Sequence, residues 1–276
     1  MLNKQTTDEI IDLIRQKPRA VQEVAFSIKK NWRTADRYID IIAKETGLIA
    51  TRTFREGSRG ALKVVYWNAL DRAKGSAYQE LLLQRIIHGK KKEDFSPFDI
   101  YQFASPDKRE SYLEYKEFST HPQTRYDKLL EGAKQQLLLF SGNLSWMELG
   151  PNTKQILESL ARKKVSIKVI TRVDVTSLKN TNAILDINKR VGWDAVEVRH
   201  CEQPLRAVIV DDSLVSIKEV LSPQHHRELK KKTFIFYKIK DIEWINWMQK
   251  AFWHLWGQSI DAQTRLEALK TLQPIG

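Results

Sequence analysis

Pro204-Leu205-Arg206-Ala207-Val208-Ile209-Val210-Asp211-Asp212-Ser213-Leu214-Val215-Ser216-Ile217-Lys218-Glu219 is the stretch that decides the fold class. Two runs rich in β-branched residues, Arg206 to Val210 and Leu214 to Lys218, flank a polar break, so both read as strands. Thr233 to Ile239 reads as a third. Upstream, helices and strands alternate. A helix through Leu129, Leu130 and Ala133 feeds the strand Leu137 to Phe140; Thr153 to Ala161 feeds Val165 to Thr171; Asn182 to Val191 feeds Ala195 to Arg199. The alternation predicts an α/β class: a mixed sheet flanked by helices, its early strands parallel and its later ones antiparallel. The last helix, from Ile242, repeats Trp244, Trp247, Met248, Ala251, Phe252, Leu255 and Trp256 at helical spacing, which marks one buried face.

The N-terminal residues punctuate differently. Thr6 and Glu9 read as a capping box opening a helix with Ile10, Leu13 and Ile14, which Pro18 ends. A short helix with Val21, Val24, Ala25 and Ile28 follows. Asn31 caps a third helix whose inward stripe is Ala35, Ile39 and Ile42, and Gly47 closes it. Leu48 to Phe54 and Leu62 to Trp67 then read as strands around the turn Glu56 to Gly60. A helix from Asp71 to His88 carries Leu81, Leu82, Ile86 and Ile87. The stretch from Glu93 to Pro122, broken by prolines and scattered with aromatics, reads as a connector that packs on something. The expected divisions are therefore 1–70, a connector over 71–119, an α/β domain over 120–262 and a tail over 263–276.

Composition bounds the function. Over 276 residues, 46 Lys+Arg against 34 Asp+Glu give a formal charge of +12, with 42% hydrophobic and 29% charged residues. This is a globular balance, and its basic bias favours a polyanionic partner. No stretch is apolar enough for a membrane span, and Met1-Leu2-Asn3-Lys4 lacks the apolar core of a signal peptide, so a soluble cytoplasmic protein is expected. The single Cys201 allows no intrachain disulfide. His200-Cys201 and His225-His226 lack further ligands at metal spacing, so neither a metal nor a cofactor is expected.

Ala20-Val21-Gln22-Glu23-Val24-Ala25, Trp32-Arg33-Thr34-Ala35-Asp36-Arg37-Tyr38-Ile39 and Thr46-Gly47-Leu48-Ile49 resemble the winged helix-turn-helix family. The resemblance implies that the third helix enters the major groove of double-stranded DNA. Spacing alone places Arg33, Arg37, Asp40 and Lys44 opposite the buried stripe. Arg33, Thr34 and Arg37 sit near the helix start, where an arginine fork can read guanine. Arg52, Arg55, Arg59 and Lys63 lie on the wing, where phosphates would meet them. Winged helices also serve as protein-interaction modules, and Asp36 and Asp40 dilute the basic face; the four basic wing residues favour DNA.

Pro204 to Glu219, preceded by Leu139-Phe140-Ser141-Gly142-Asn143-Leu144 and Val165 to Arg172, resembles the strands carrying the His-x-Lys-x4-Asp motif of the phospholipase D superfamily. Mapped onto that motif, Pro204 takes the place of the nucleophilic histidine, Arg206 that of the lysine, and Asp211 that of the aspartate. Lys218-Glu219 replaces the small pair expected after it. The resemblance thus implies a degenerate, non-catalytic domain whose remnant cleft, with Ser141, Asn143, Arg172, Asp174, Arg206 and Asp211 at strand ends, holds a sugar or sugar phosphate. The same residues could instead form a buried salt-bridge network. The pairing of a winged helix with such a domain resembles the TrmB-type archaeal transcription regulators, which implies a homodimeric, effector-sensing regulator. Leu81, Leu82, Ile86 and Ile87 are the candidate seam, although packing on the second domain of the same chain would explain them as well. The alternatives are a phosphodiesterase or nuclease reusing His200, and a non-sensing DNA-binding scaffold that recruits a partner protein.

Overall fold

The computed structural model describes residues 2–55, 61–67, 76–114, 125–149, 152–224, 229 and 231–271. The expected turn at 56–60 with Arg59, the start of the 71–88 helix, and His225-His226 lie outside these residues.

The chain begins with helix α1 (Lys4–Gln16), strand β1 (Arg19–Ala20), α2 (Val21–Ser27), α3 (Trp32–Thr46) and the hairpin β2 (Ile49–Arg55) and β3 (Ala61–Trp67). The cap of α1 is Asn3, not Thr6: the Asn3 side chain accepts the Thr6 N–H at 2.8 Å, which places Thr6 inside the first turn. Asn31 caps α3 as expected, accepting from the Thr34 N–H at 2.9 Å, and Gly47 ends it at φ 64°. Ala35, Ile39 and Ile42 are buried with Ile10, Val24 and Val65. Residues 19–20 add an unexpected strand, giving the order β1-β3-β2.

The rest of the chain forms α4 (Ser76–His88), α5 (Phe98–Tyr101), β4 (Arg109–Glu114), α6 (Arg125–Glu131), β5 (Gln136–Phe140), α7 (Trp146–Leu149), α8 (Thr153–Arg162), β6 (Ser166–Thr171), α9 (Leu178–Val191), β7 (Val196–His200), β8 (Ala207–Val210), β9 (Leu214–Leu221), β10 (Thr233–Ile239), α10 (Ile242–Gln258), β11 (Ile260–Asp261) and α11 (Ala262–Thr271). Eight strands make one sheet in the order β11-β7-β6-β5-β8-β9-β10-β4. β5, β6 and β7 run parallel, while β8, β9, β10 and β4 add antiparallel neighbours. The mixed α/β class is therefore as the alternation implies. Odd-numbered β8 and β9 side chains such as Ile209 and Ile217 pack under α10, whose tryptophan stripe is buried. Even-numbered side chains such as Val208 and Val210 face α6, α8 and α9.

Two expectations over the flanks give way. Residues 109–114, expected within the connector, are an edge strand, because β10 leaves a row of backbone groups that β4 pairs. Residues 262–271, expected mostly as tail, are a helix with Leu266 and Leu269 buried. Of the two explanations for the apolar set on α4, packing within the chain is the one observed: Leu82 and Ile86 are fully buried beside Phe95, Phe98 and Trp244, and Leu81 alone of the four is exposed.

The two parts share a core. Period-two alternation puts Arg52, Phe54, Leu62, Val64 and Tyr66 on one face of the hairpin. That face packs on α5 and β10: Phe54 meets the Phe98 and Tyr237 rings edge-on, each at 6.2 Å, and Tyr66 meets Phe98 at 4.8 Å. Beside them Arg85 pairs with the buried Asp99 at 3.3 Å. Burial outweighs that arginine and pushes the Asp99 carboxyl up to about 7.

Candidate functional site: a helix face and a cationic cleft

On α3, Arg33, Arg37, Asp40 and Lys44 are exposed and share the outward face with Trp32 and Asp36. The guanidinium of Arg33 sits over the Trp32 ring at 5.4 Å, and that of Arg37 over Tyr38 at 5.7 Å. Such contacts hold long side chains in place before any partner arrives. Thr34 is half-buried at the helix start.

The hairpin residues behave differently from one another. Lys63 has the opposite parity to Phe54 and turns toward α3, where its ammonium lies 2.7 Å from both Asp36 and Asp40. Burial pulls its pKa down, but the two carboxylates outweigh it and hold it above the ordinary lysine value. Lys63 is thus an internal counter-charge and not an outlying phosphate contact. Arg52 shares the parity of Phe54 and is drawn into the shared core: it lies over the Tyr101 ring at 4.9 Å and donates to Ser111 Oγ at 3.4 Å. It is thus engaged within the chain and does not extend from the wing. Arg55 ends β2.

The second site is a cleft of about 560 Å³ on the sheet face turned away from α10. Four of the six expected ligand residues, Ser141, Asn143, Arg172 and Arg206, line it. The other two do not. β8 runs antiparallel to β5, so Arg206 stands at the carboxyl end of β5 and Asp211 at its amino end. There Asp211, at φ 47°, accepts the backbone N–H groups of Lys134, Gln135 and Gln136 at 2.8–2.9 Å. Asp174 accepts the N–H groups of Thr176 and Ser177 and pairs with Arg172 at 2.7 Å. Even within the cleft, Ser141 is committed, since its Oγ accepts from Leu144 N and Trp146 Nε1, both at 3.0 Å.

Arg206 differs. Its Nη1 donates to the carbonyl of Leu205 at 2.6 Å, and its guanidinium lies so close to Gly142 that a Cβ there would collide with it. Among the described residues no acceptor lies within hydrogen-bond distance of its Nε or Nη2, and no carboxylate within ion-pair distance. Burial, reinforced by the charge of Arg172, pushes its pKa down to about 10. It stays protonated near neutrality. A half-buried guanidinium beside a like charge is costly unless an anion joins it.

The sequence reading missed most of the remaining lining. Lys92, Arg125, Lys218 and Lys232 bring the described cations to six, against the single carboxylate of Glu114. Tyr112 and Phe236 stack at 5.0 Å on its floor, and Tyr126 and Trp146 meet at 6.0 Å on its wall. The signal present was the even parity of Lys218 with Arg206 across the β8–β9 pair; the contributions of β4 and α6 follow only from the fold. Pro204 is buried against Gly89. His200 lies outside the cleft lining, and its Nδ1 accepts the Val173 N–H at 2.9 Å. Burial, with Arg265 nearby, lowers its pKa, so the ring is neutral near pH 7. Among the described residues no helix is long and apolar enough to cross a membrane.

No protein-family model and no curated protein matches the sequence. Solved structures do resemble the fold. TrmBL2, described as an archaeal chromatin protein with a novel mode of DNA binding, aligns at 15% identity over 94% of each chain, TM-score 0.41. Nuc from Salmonella typhimurium, a phospholipase D family member, aligns at 13% identity over 55% of this chain and 97% of its own, TM-score 0.41. NucT from Helicobacter pylori aligns at 13% identity over 55% of this chain and 99% of its own, TM-score 0.39.

Proposed function

We propose that this chain is a DNA-binding transcription regulator in which α1 to β3 form a winged helix-turn-helix reader and the cleft takes a small anionic effector. The observation carrying the reading is the outward face of α3. Arg33, Arg37 and Lys44 stay exposed while Lys63 offsets half the charge of the two carboxylates between them, leaving a net positive ridge of the kind that enters a major groove. Asp211 is engaged at the far end of β5 and Asp174 is taken up by Arg172 and by backbone N–H groups, so the chemistry of the cleft favours a phosphate ester over a bare sugar. Binding is preferred to hydrolysis because Pro204 stands at the nucleophile position and His200 is held by backbone. A homodimer is the stoichiometry such a reader uses, with two recognition helices set one DNA turn apart.

The test is an anisotropy titration of the full chain with random and selected duplexes across a salt series. Specific binding with a steep salt slope is expected, and Arg37→Ala should weaken selected duplexes by ~1–3 kcal/mol. Equal binding of both proteins to every duplex at every salt concentration overturns the reader. Light scattering with and without duplex checks the dimer: an unchanged monomer mass counts against it.

A further inference from the structure

One row of residues crosses the cleft floor. The Lys218 N–H donates to the Arg206 carbonyl at 2.7 Å, Lys218 is paired in register with Phe236, and Phe236 with Tyr112. All four line the cleft. Two cations thus stand on β8 and β9, and two stacked rings on β10 and β4. Strands in a sheet lie ~4.8 Å apart, so roughly 10 Å separates the guanidinium strand from the first ring strand. A free anion would use one end only. The cavity, at about 560 Å³, has the size of a small-molecule site.

We propose that the cleft binds a nucleotide: a phosphate monoester carrying a flat, nitrogen-bearing base. Its phosphate takes the open Nε/Nη2 edge of Arg206, with Lys218 and Arg172 alongside. A guanidinium fork matches two phosphate oxygens, and an ammonium serves as a point charge. The sugar spans the floor between β8 and β10. The base lies against the Phe236–Tyr112 rings, displacing the exposed Arg125 side chain whose guanidinium covers Tyr112 at 4.5 Å, since a π-face accepts any base by stacking. Glu114, the one described carboxylate of the cleft, sits at the ring end, where the exocyclic amine of a base would need an acceptor.

The proposal rests on the reading of the cleft as an effector site, and one experiment separates the two. Full-length protein is titrated calorimetrically with adenosine monophosphate, ribose 5-phosphate and adenosine. Adenosine monophosphate is expected to bind about tenfold or more tightly than ribose 5-phosphate, the margin that base stacking supplies. Adenosine is expected to bind weakly. Tyr112→Leu, on the half-buried edge strand, should erase the margin and leave ribose 5-phosphate affinity unchanged; Arg206→Gln should weaken both phosphate esters. Equal affinity for adenosine monophosphate and ribose 5-phosphate in the unmutated protein overturns the nucleotide and leaves the phosphate-ester site standing. Adenosine binding as tightly as its monophosphate overturns the phosphate end. Binding of none of the three to protein with a normal melting transition overturns both the nucleotide and the effector reading.

Discussion

Phe54 of the N-terminal hairpin meets Tyr237 of the large sheet ring edge to ring face at 6.2 Å, in a core shared by the two halves of the chain. The Tyr237 hydroxyl in turn donates to Glu219 at 2.6 Å, one residue beyond the cleft lysine Lys218. The N-terminal hairpin and the cleft strand are therefore packed on a common set of side chains. This is the physical basis on which occupancy of one could bias the other, and linkage would make that bias reciprocal.

Phe54→Ala should remove a buried ring and cost about 3–5 kcal/mol. Because the core is continuous, the chain should unfold in one calorimetric transition that moves down as a whole. Two resolved transitions, with only the earlier one shifted, would contradict a shared core.

Lys63 gives a charge-neutralisation test. Lys63→Gln leaves Asp36 and Asp40 without their counter-charge on the face proposed to meet phosphates. A carboxylate about 4 Å from a phosphate charge costs ~1 kcal/mol even in bulk water, and more where water is excluded. Weaker duplex binding is expected, with recovery when Asp36→Asn and Asp40→Asn are added. Arg52→Ala should instead lower the melting temperature and leave the salt slope of binding as it was. A flattened slope would return Arg52 to the interface with DNA.

Asp99 makes stability depend on pH. Its folded pKa, pushed up to about 7 chiefly by burial, lies above the ordinary aspartate value of 3.8, so the native state holds the proton more tightly. Its contribution is fully present below the unfolded pKa and is lost as pH rises through the folded one, so stability falls between about pH 4 and 7. Denaturant midpoints across that window should show the decline, and Asp99→Asn should flatten it. An unchanged slope in the variant assigns the decline to other groups.

Asp211 holds the start of β5 through three backbone N–H groups. Asp211→Ala should lose about 2–3 kcal/mol, since charge-assisted bonds are replaced by unpaired donors. Ligand affinity in the cleft should not change, because Asp211 lies at the far end of the strand. Lost affinity at unchanged stability would restore it to the site.

The sequence by itself determined what local pattern can encode. Alternating helices and β-branched runs set the mixed sheet, Asn31 and Gly47 bounded α3, and the stripe Ala35, Ile39 and Ile42 fixed which arginines face outward. The tryptophan period of α10 identified a core face in the same way. Those signals depend on residues a few positions apart, where backbone geometry alone relates them. The tertiary structure decided everything that depends on strand direction and on distant partners. An antiparallel β8 carries Asp211 away from Arg206, although five positions separate them in the chain. Hairpin parity sends Arg52 into a core where its partner Ser111 is 59 residues downstream, and Lys63 back to α3. The cleft joins Tyr112, Arg125, Lys218 and Phe236 from four elements, because a sheet sets side by side residues that no local spacing connects.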